Sequence, residues 1–153
     1  MKRYLLLSAV AIAVLAFPSA ASAQSGHFIG TPTCSDEGTF LDCTGKVAGL
    51  GGTTFRIDVS ASGVADVTCT NPAGNVAPGQ SFSFAGAGST GDQLTPRNGQ
   101  FRFSVETIAP TAPPGSCPNP KWTATVTDVT FGDATLTLFE NSTVSDTITV
   151  PVS

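Results

Sequence analysis

From Thr39 onward, apolar and polar residues alternate with a period of two. That is the pattern of a strand that buries one face and wets the other. Phe55, Ile57 and Val59 alternate with Thr54, Arg56, Asp58 and Ser60, and Ala65, Val67 and Cys69 alternate with Asp66 and Thr68. Phe82 and Phe84 stand among serines, and Phe101, Phe103 and Val105 stand among Arg102, Ser104 and Glu106. Trp122, Ala124 and Val126 alternate with Thr123, Thr125 and Thr127. Leu136 and Leu138 alternate with threonines, as do Ile148 and Val150. With a strand around Leu41–Ala48, the pattern predicts about eight strands and no helix longer than about two turns after residue 24.

Turn chemistry divides these runs. Gly49 to Gly52, Ser62-Gly63, Asn71 to Asn75 and Pro96 to Gly99 each fall between two strands. Phe131-Gly132-Asp133 reads as a tight hairpin joining a Trp122 strand to a Leu136 strand, and Asn141-Ser142 ends the latter. The longest breaks, Gly86 to Gln93 and Ala109 to Pro120, are Gly/Ser-rich and Pro-rich and are expected to be loops. Amphipathic strands of this kind must pack as two sheets or close on themselves. The expected fold is all-β, an immunoglobulin-like two-sheet sandwich of about eight antiparallel strands, with a small closed β-barrel as the alternative. Trp122, Phe82, Phe84, Phe101 and Phe103 are expected between the sheets, with Cys69 in or near them.

The N-terminus predicts the compartment. Lys2 and Arg3 precede an apolar run from Tyr4 to Phe17, and Pro18 and Ala21-Ser22-Ala23 follow. This is the layout of a secretory signal cleaved after Ala23. The run is shorter than the roughly 20 residues a bilayer span needs, and no second one follows, so no span is expected once the signal is removed. The expected organisation is a signal peptide over 1–23, an N-terminal segment over 24–38 and a β-sandwich domain over 39–153. Removing Lys2 and Arg3 leaves five cations against eleven carboxylates, a formal charge of −6. Such a chain repels phosphate, which argues against nucleic acid as a partner.

Four cysteines, Cys34, Cys43, Cys69 and Cys117, lie beyond the signal. An even number in a small exported domain implies two disulfides, and three pairings exist. Cys34–Cys43 and Cys69–Cys117 are preferred. The first closes a short loop around Asp36-Glu37-Gly38, which looks like a hairpin tip, and the second ties a strand end to the Pro-rich loop. Spacings such as C-x-x-C and partner histidines are absent from the sequence, so no metal site is expected.

Catalytic signals are equally thin. The single histidine, His27, lies close to the cleavage site on a segment expected to fray, whereas a triad needs a fixed base. Ala87-Gly88-Ser89-Thr90-Gly91 approaches a nucleophile elbow, but its first glycine is Ala and no histidine follows. Gly86 to Gly91 has phosphate-loop glycine spacing, but Asp92 stands where the lysine belongs. Asp36, Glu37 and Asp42, and Asp128 and Asp133, read as solvated turn carboxylates. Thr123-x-Thr125-x-Thr127 and Thr135-x-Thr137 are placed on consecutive strands; a flat Thr array can order water or contact a polysaccharide, and Thr is also a common solvent-face strand residue. Asn141-Ser142-Thr143 fits a glycosylation sequon.

Three stretches carry a resemblance: Cys43-Thr-Gly-Lys-Val-Ala-Gly-Leu-Gly51; Val67-Thr-Cys-Thr-Asn-Pro72 with Asn75-Val-Ala-Pro-Gly-Gln80; and Cys117-Pro-Asn-Pro-Lys-Trp-Thr-Ala-Thr-Val-Thr-Asp-Val129. They resemble a family of small secreted bacterial proteins to which no activity is assigned. That resemblance covers nearly all of the chain after the signal and implies export and a compact β domain. By architecture alone the chain is also similar to neocarzinostatin-type apoproteins, which carry an apolar chromophore, although its cysteine spacing differs from theirs.

The expectation is therefore a secreted, non-catalytic protein with a structural or interaction role at or outside the cell envelope; the sequence identifies no partner, and the candidates are a cell-envelope component, a protein or a polysaccharide. No catalytic, cofactor-binding or metal residue is assigned. Binding of a small ligand or polysaccharide is the alternative, and a hydrolase comes third. Export has a direct test. N-terminal sequencing of protein from the medium or periplasm should begin at Gln24, and an intact Met1 species held in the membrane would contradict it.

Overall fold

The computed structural model of the protein describes residues 25–153, so the expected signal peptide lies outside the described residues. Ten strands and no helix make up the described chain: β1 (His27–Phe28), β2 (Thr33–Asp36), β3 (Leu41–Ala48), β4 (Thr54–Thr70), β5 (Val76–Pro78), β6 (Phe82–Ser89), β7 (Gln93–Leu94), β8 (Phe101–Glu106), β9 (Thr123–Glu140) and β10 (Thr143–Val150). They form two sheets of antiparallel strands. In the first, β3 pairs with β1 and β2 along one edge and with β8 along the other. In the second, β4 pairs with β9 along one edge and with β7, β6 and β5 in succession along the other, while β10 flanks β9.

The second sheet is built on two strands of unusual length, β4 and β9, which pair from Phe55↔Glu140 to Thr70↔Thr123. Each covers what sequence reading divides into two strands. Ser62-Gly63 is not a turn but the middle of β4, and Phe131-Gly132-Asp133 is not a hairpin but the middle of β9. The glycines serve another purpose there. The register runs from Ala61↔Ala134 directly to Gly63↔Phe131, so β9 bulges by one residue at Gly132-Asp133. A Cβ on Gly63 would meet the Thr130 carbonyl oxygen at 2.9 Å. Its absence lets the flanking Phe84 and Phe131 rings meet edge to face, 5.8 Å apart, an arrangement worth about 0.5–1.5 kcal/mol beyond area burial. A second bulge in β9 falls between Asp66↔Asp128 and Val67↔Val126.

The core lies between the first sheet and the near half of this ribbon. Leu41, Cys43 and Val47 of β3 and Phe103 and Val105 of β8 face Phe55, Ile57 and Val59 of β4 and Leu136 and Leu138 of β9. Phe101 packs edge to face on Phe55 at 4.9 Å. Phe103 and Phe101 thus stand where expected, whereas Phe82 and Phe84, expected between the sheets, are half-buried outside this cluster. Trp122 is not in this cluster. The far half of the ribbon extends past the first sheet, so Trp122 is half-buried beside Pro113, Pro114 and Pro120 instead. Its amide bonds the Asn119 carbonyl in a turn.

Both edges of the sandwich are laced. On one side the Ile108 amide donates to the Ala87 carbonyl, and the chain passes so close that a Cβ on Gly88 would collide with the Glu106 carbonyl. Gly86 to Ser89, expected in a loop, belong to β6 and pair with Asp58 to Ala61 of β4. On the other side Val152 bridges Cys34 in parallel, and the Ser153 amide donates to the Cys34 carbonyl at 3.1 Å. Asn141 and Ser142, both with positive φ (47° and 68°), form the two-residue turn between β9 and β10, as the right-handed strand twist requires.

The disulfides are Cys34–Cys43 and Cys69–Cys117, the preferred pairing. The first joins directly opposed residues of β2 and β3 below the tip at Asp36-Glu37-Gly38. The second anchors the far end of β4 to the Pro-rich loop. Their sequence separations are 9 and 48, and loop-closure entropy grows with length, which predicts about 2–3 kcal/mol for the first and about 4 kcal/mol for the second. Replacing Cys69 and Cys117 together by Ala should lower the thermal midpoint more than replacing Cys34 and Cys43. Equal shifts would contradict the entropic account.

Candidate functional site

Two features stand out from the framework: the outward face of the ribbon and a buried carboxylate at one mouth of the sandwich. Even-numbered residues of β4 face outward along its whole length, because the odd-numbered ones, such as Phe55, Ile57, Val59, Ala65 and Val67, are buried. In β9 the outward residues are odd near Thr135 and Thr137, even at Asp128 and Thr130, and odd again at Thr123 and Thr125. Each bulge inverts the alternation, and two together restore it. The result is one outward face whose cross-strand rows are Thr70/Thr123, Thr68/Thr125, Asp66/Asp128, Val64/Thr130, Ser60/Thr135, Asp58/Thr137 and Arg56/Phe139. β10 widens it with Thr149 beside Thr135, their hydroxyls 3.2 Å apart, and with Thr147 beside Thr137. The two Thr runs of β9 therefore lie on one strand, not on consecutive strands.

At one end of this face sits a fixed polar cluster. The Arg56 guanidinium lies 4.4 Å over the Phe139 ring. Its Nε donates to both oxygens of Asp58, at 3.0 and 3.1 Å, and Nη1 approaches Asp92 at 3.6 Å. Ser89 donates its hydroxyl to Asp58 Oδ1 at 2.6 Å. Beside the cluster an open depression of about 650 Å³ is lined by Asp58, Ser60, Ala87, Ser89, Ile108 and Thr137, among others.

Glu140 is fully buried, yet carries a carboxylate. It continues the inward row Ala134, Leu136, Leu138 and reaches the mouth of the sandwich. Gly51 and Gly52 donate their amides to Oε1 at 2.7 and 3.1 Å. Gly26 donates its amide to Oε2 at 2.9 Å, and the Ser145 hydroxyl donates to the same oxygen at 2.8 Å. Burial alone pushes this carboxyl up. The Gly51 amide, the Ser145 hydroxyl and the amides of Gly26 and Gly52 outweigh it and hold the group below the ordinary value of 4.5. Three chain segments thereby meet on one side chain. Asp146 acts similarly nearby, accepting the Phe28 amide at 2.9 Å. The segment around His27 is for this reason not frayed: His27 and Phe28 pair with Ala48 and Val47.

The remaining sequence candidates are dispersed. His27 is exposed on the first sheet, whereas Ser89 belongs to the second. Asp36 Oδ1 accepts the Gly38 amide within its own turn, and Asp42 accepts the Ser104 hydroxyl. Asp66 and Asp128 face each other across the ribbon. Among the described residues no three His, Cys, Asp or Glu side chains converge as metal ligands, and no helix is long and apolar enough to cross a membrane. Sequence reading missed both Glu140 and the Arg56 cluster. Glu140 had a signal, since it sits on the apolar parity of 134, 136 and 138. The Arg56 cluster had none, because Ser89 and Asp92 are distant in sequence.

No family model, curated protein or solved structure matches the chain.

Glu140→Gln places an NH₂ group among amide donors and should cost about 2–3 kcal/mol at neutral pH. The folded carboxyl titrates below its unfolded value, so its contribution is present above 4.5 and is lost as the pH falls through the folded value. Denaturant unfolding of wild type and variant should therefore converge in acid. Equal stability of the two at neutral pH would contradict the role given to Glu140.

Proposed function

We propose that the protein is an exported, non-catalytic interaction module that works at or outside the cell envelope and binds through the outward face of the β4/β9 ribbon. The observation that carries the reading is that face itself. It is long, rich in hydroxyls and continuous from Thr70/Thr123 to Arg56/Phe139, and two bulges keep it continuous where one would have turned half of it inward. The laced edges and two disulfides hold it on a stiff support, and disulfides persist in oxidising compartments. The large depression opens on this face, not between the sheets, which favours surface contact over carriage of an apolar ligand inside the sandwich. A hydrolase reading has the Ser89–Asp58 pair, but the single histidine, His27, lies on the other sheet.

The test is retention on insoluble envelope material. Thr135→Lys with Thr137→Lys sets two large cations on the face and leaves the core row untouched. Wild type should be retained and the double variant released, at matched thermal midpoints. Equal retention of both, or none of the wild type, would sink the proposal.

A further inference from the structure

We infer that the depression beside Asp58 is a subsite for a neutral saccharide unit; the inference rests on the binding face proposed above and names its ligand. The lining is amphipathic in the way a sugar ring is. Ser60, Ser89 and Thr137 supply hydroxyls, Asp58 supplies a carboxylate, and Ala87 and Ile108 supply an apolar wall. Ile108 is 78 % exposed, but it is not loose, because its amide is tied to the Ala87 carbonyl at 3.0 Å. A large aliphatic side chain on a backbone tied to β6, beside a row of hydroxyls, offers a surface for the C–H face of a pyranose.

The carboxylate is positioned in advance. Asp58 Oδ1 accepts from Arg56 and from Ser89, while among the described residues Oδ2 accepts only its share of Arg56 Nε at 3.1 Å. Oδ2 retains capacity to accept from a ligand hydroxyl, since an ionised carboxylate has about four acceptor sites. The side chains of Arg56 and Asp58 are 29 % and 34 % exposed, so the pair is reachable but orientationally fixed.

Charge selects the class of glycan. Arg56 is the one cation lining the depression, and it is engaged by the Phe139 ring, Asp58 and Asp92. An anionic sugar would meet the Asp58 carboxylate and find no uncommitted cation among the lining residues. A neutral sugar meets an acceptor, three hydroxyls and an apolar wall. The volume of about 650 Å³ lies within the range of small-ligand sites, about 300–1,000 Å³.

The experiment is a ¹⁵N NMR titration of the chain from Gln24 to Ser153 with cello-, malto-, xylo- and mannohexaose and with oligogalacturonate. Each is taken to about 20 mM, enough to reveal a millimolar Kd. At least one neutral hexaose should shift the amide signals of Ser60, Ala87, Ser89, Ile108 and Thr137. Asp58→Asn should weaken that binding about tenfold, as expected for loss of a hydrogen bond to a charged group. Ile108→Ser should weaken it at an unchanged thermal midpoint, which keeps the test valid if the Asp58 variant is unstable. No shift with any neutral hexaose, shifts indifferent to both substitutions, or equal binding of oligogalacturonate would overturn the subsite. Shifts confined to Thr68, Thr123 and Thr125 would overturn it too, yet leave the binding face standing.

Discussion

The backbone ladder between β4 and β9 is the constraint on which the rest of the structure depends. Fifteen registered pairs run along it. Its near half closes the core against the first sheet, and its far half carries the second disulfide and the Pro-rich loop. An unbroken two-residue period over such a length would work only for a sheet covered uniformly on one side. The first sheet covers only half the ribbon, and a long ribbon also accumulates right-handed twist. Bulges absorb both demands, since each bends the strand and increases local twist. Placing both in β9 leaves β4 regular, so its even-numbered residues face solvent from Thr54 to Thr70.

Where the ribbon ends, Glu140 takes over. A sandwich mouth leaves backbone amides of the incoming chain and of the inter-strand connection facing inward, and buried amides without partners cost free energy. One carboxylate accepts the amides of Gly26, Gly51 and Gly52 together. The cost of burying its charge is offset by charge-assisted hydrogen bonds. Two of these donors are consecutive glycines, where the chain turns tightly enough to aim adjacent amides at one oxygen.

Much of the fold is legible in the sequence. Alternation along Phe55 to Val59, Ala65 to Cys69 and Leu136 to Leu138 marks inward faces that the structure bears out, and the preferred disulfide pairing is the one formed. Glycine misleads at Ser62-Gly63 and Phe131-Gly132-Asp133, because glycine marks a bulge or a close aromatic contact as readily as a turn. The sequence signal that separates these cases is the phase of the alternation on either side. A hairpin leaves the phases independent, whereas paired bulges return Thr123 and Thr135 to one face. Trp122 misleads differently: it has the right parity but lies in the turn just before the half of the ribbon that the first sheet does not reach. The Arg56 cluster leaves no sequence signal, because it is assembled from β4, β9, the end of β6 and the loop that follows it.

Cross-strand nuclear Overhauser effects distinguish β4 and β9 as single bulged strands from two pairs of shorter ones. The account predicts contacts of Gly63 with Phe131, Ala65 with Val129 and Thr68 with Thr125, continuous with those of Val59 and Leu136. Contacts of Thr130 with Ala134 and of Ala61 with Val64 across tight turns, with the Gly63–Phe131 contact missing, would instead divide each strand into two. That result would contradict both the fold account and the single outward face derived from it.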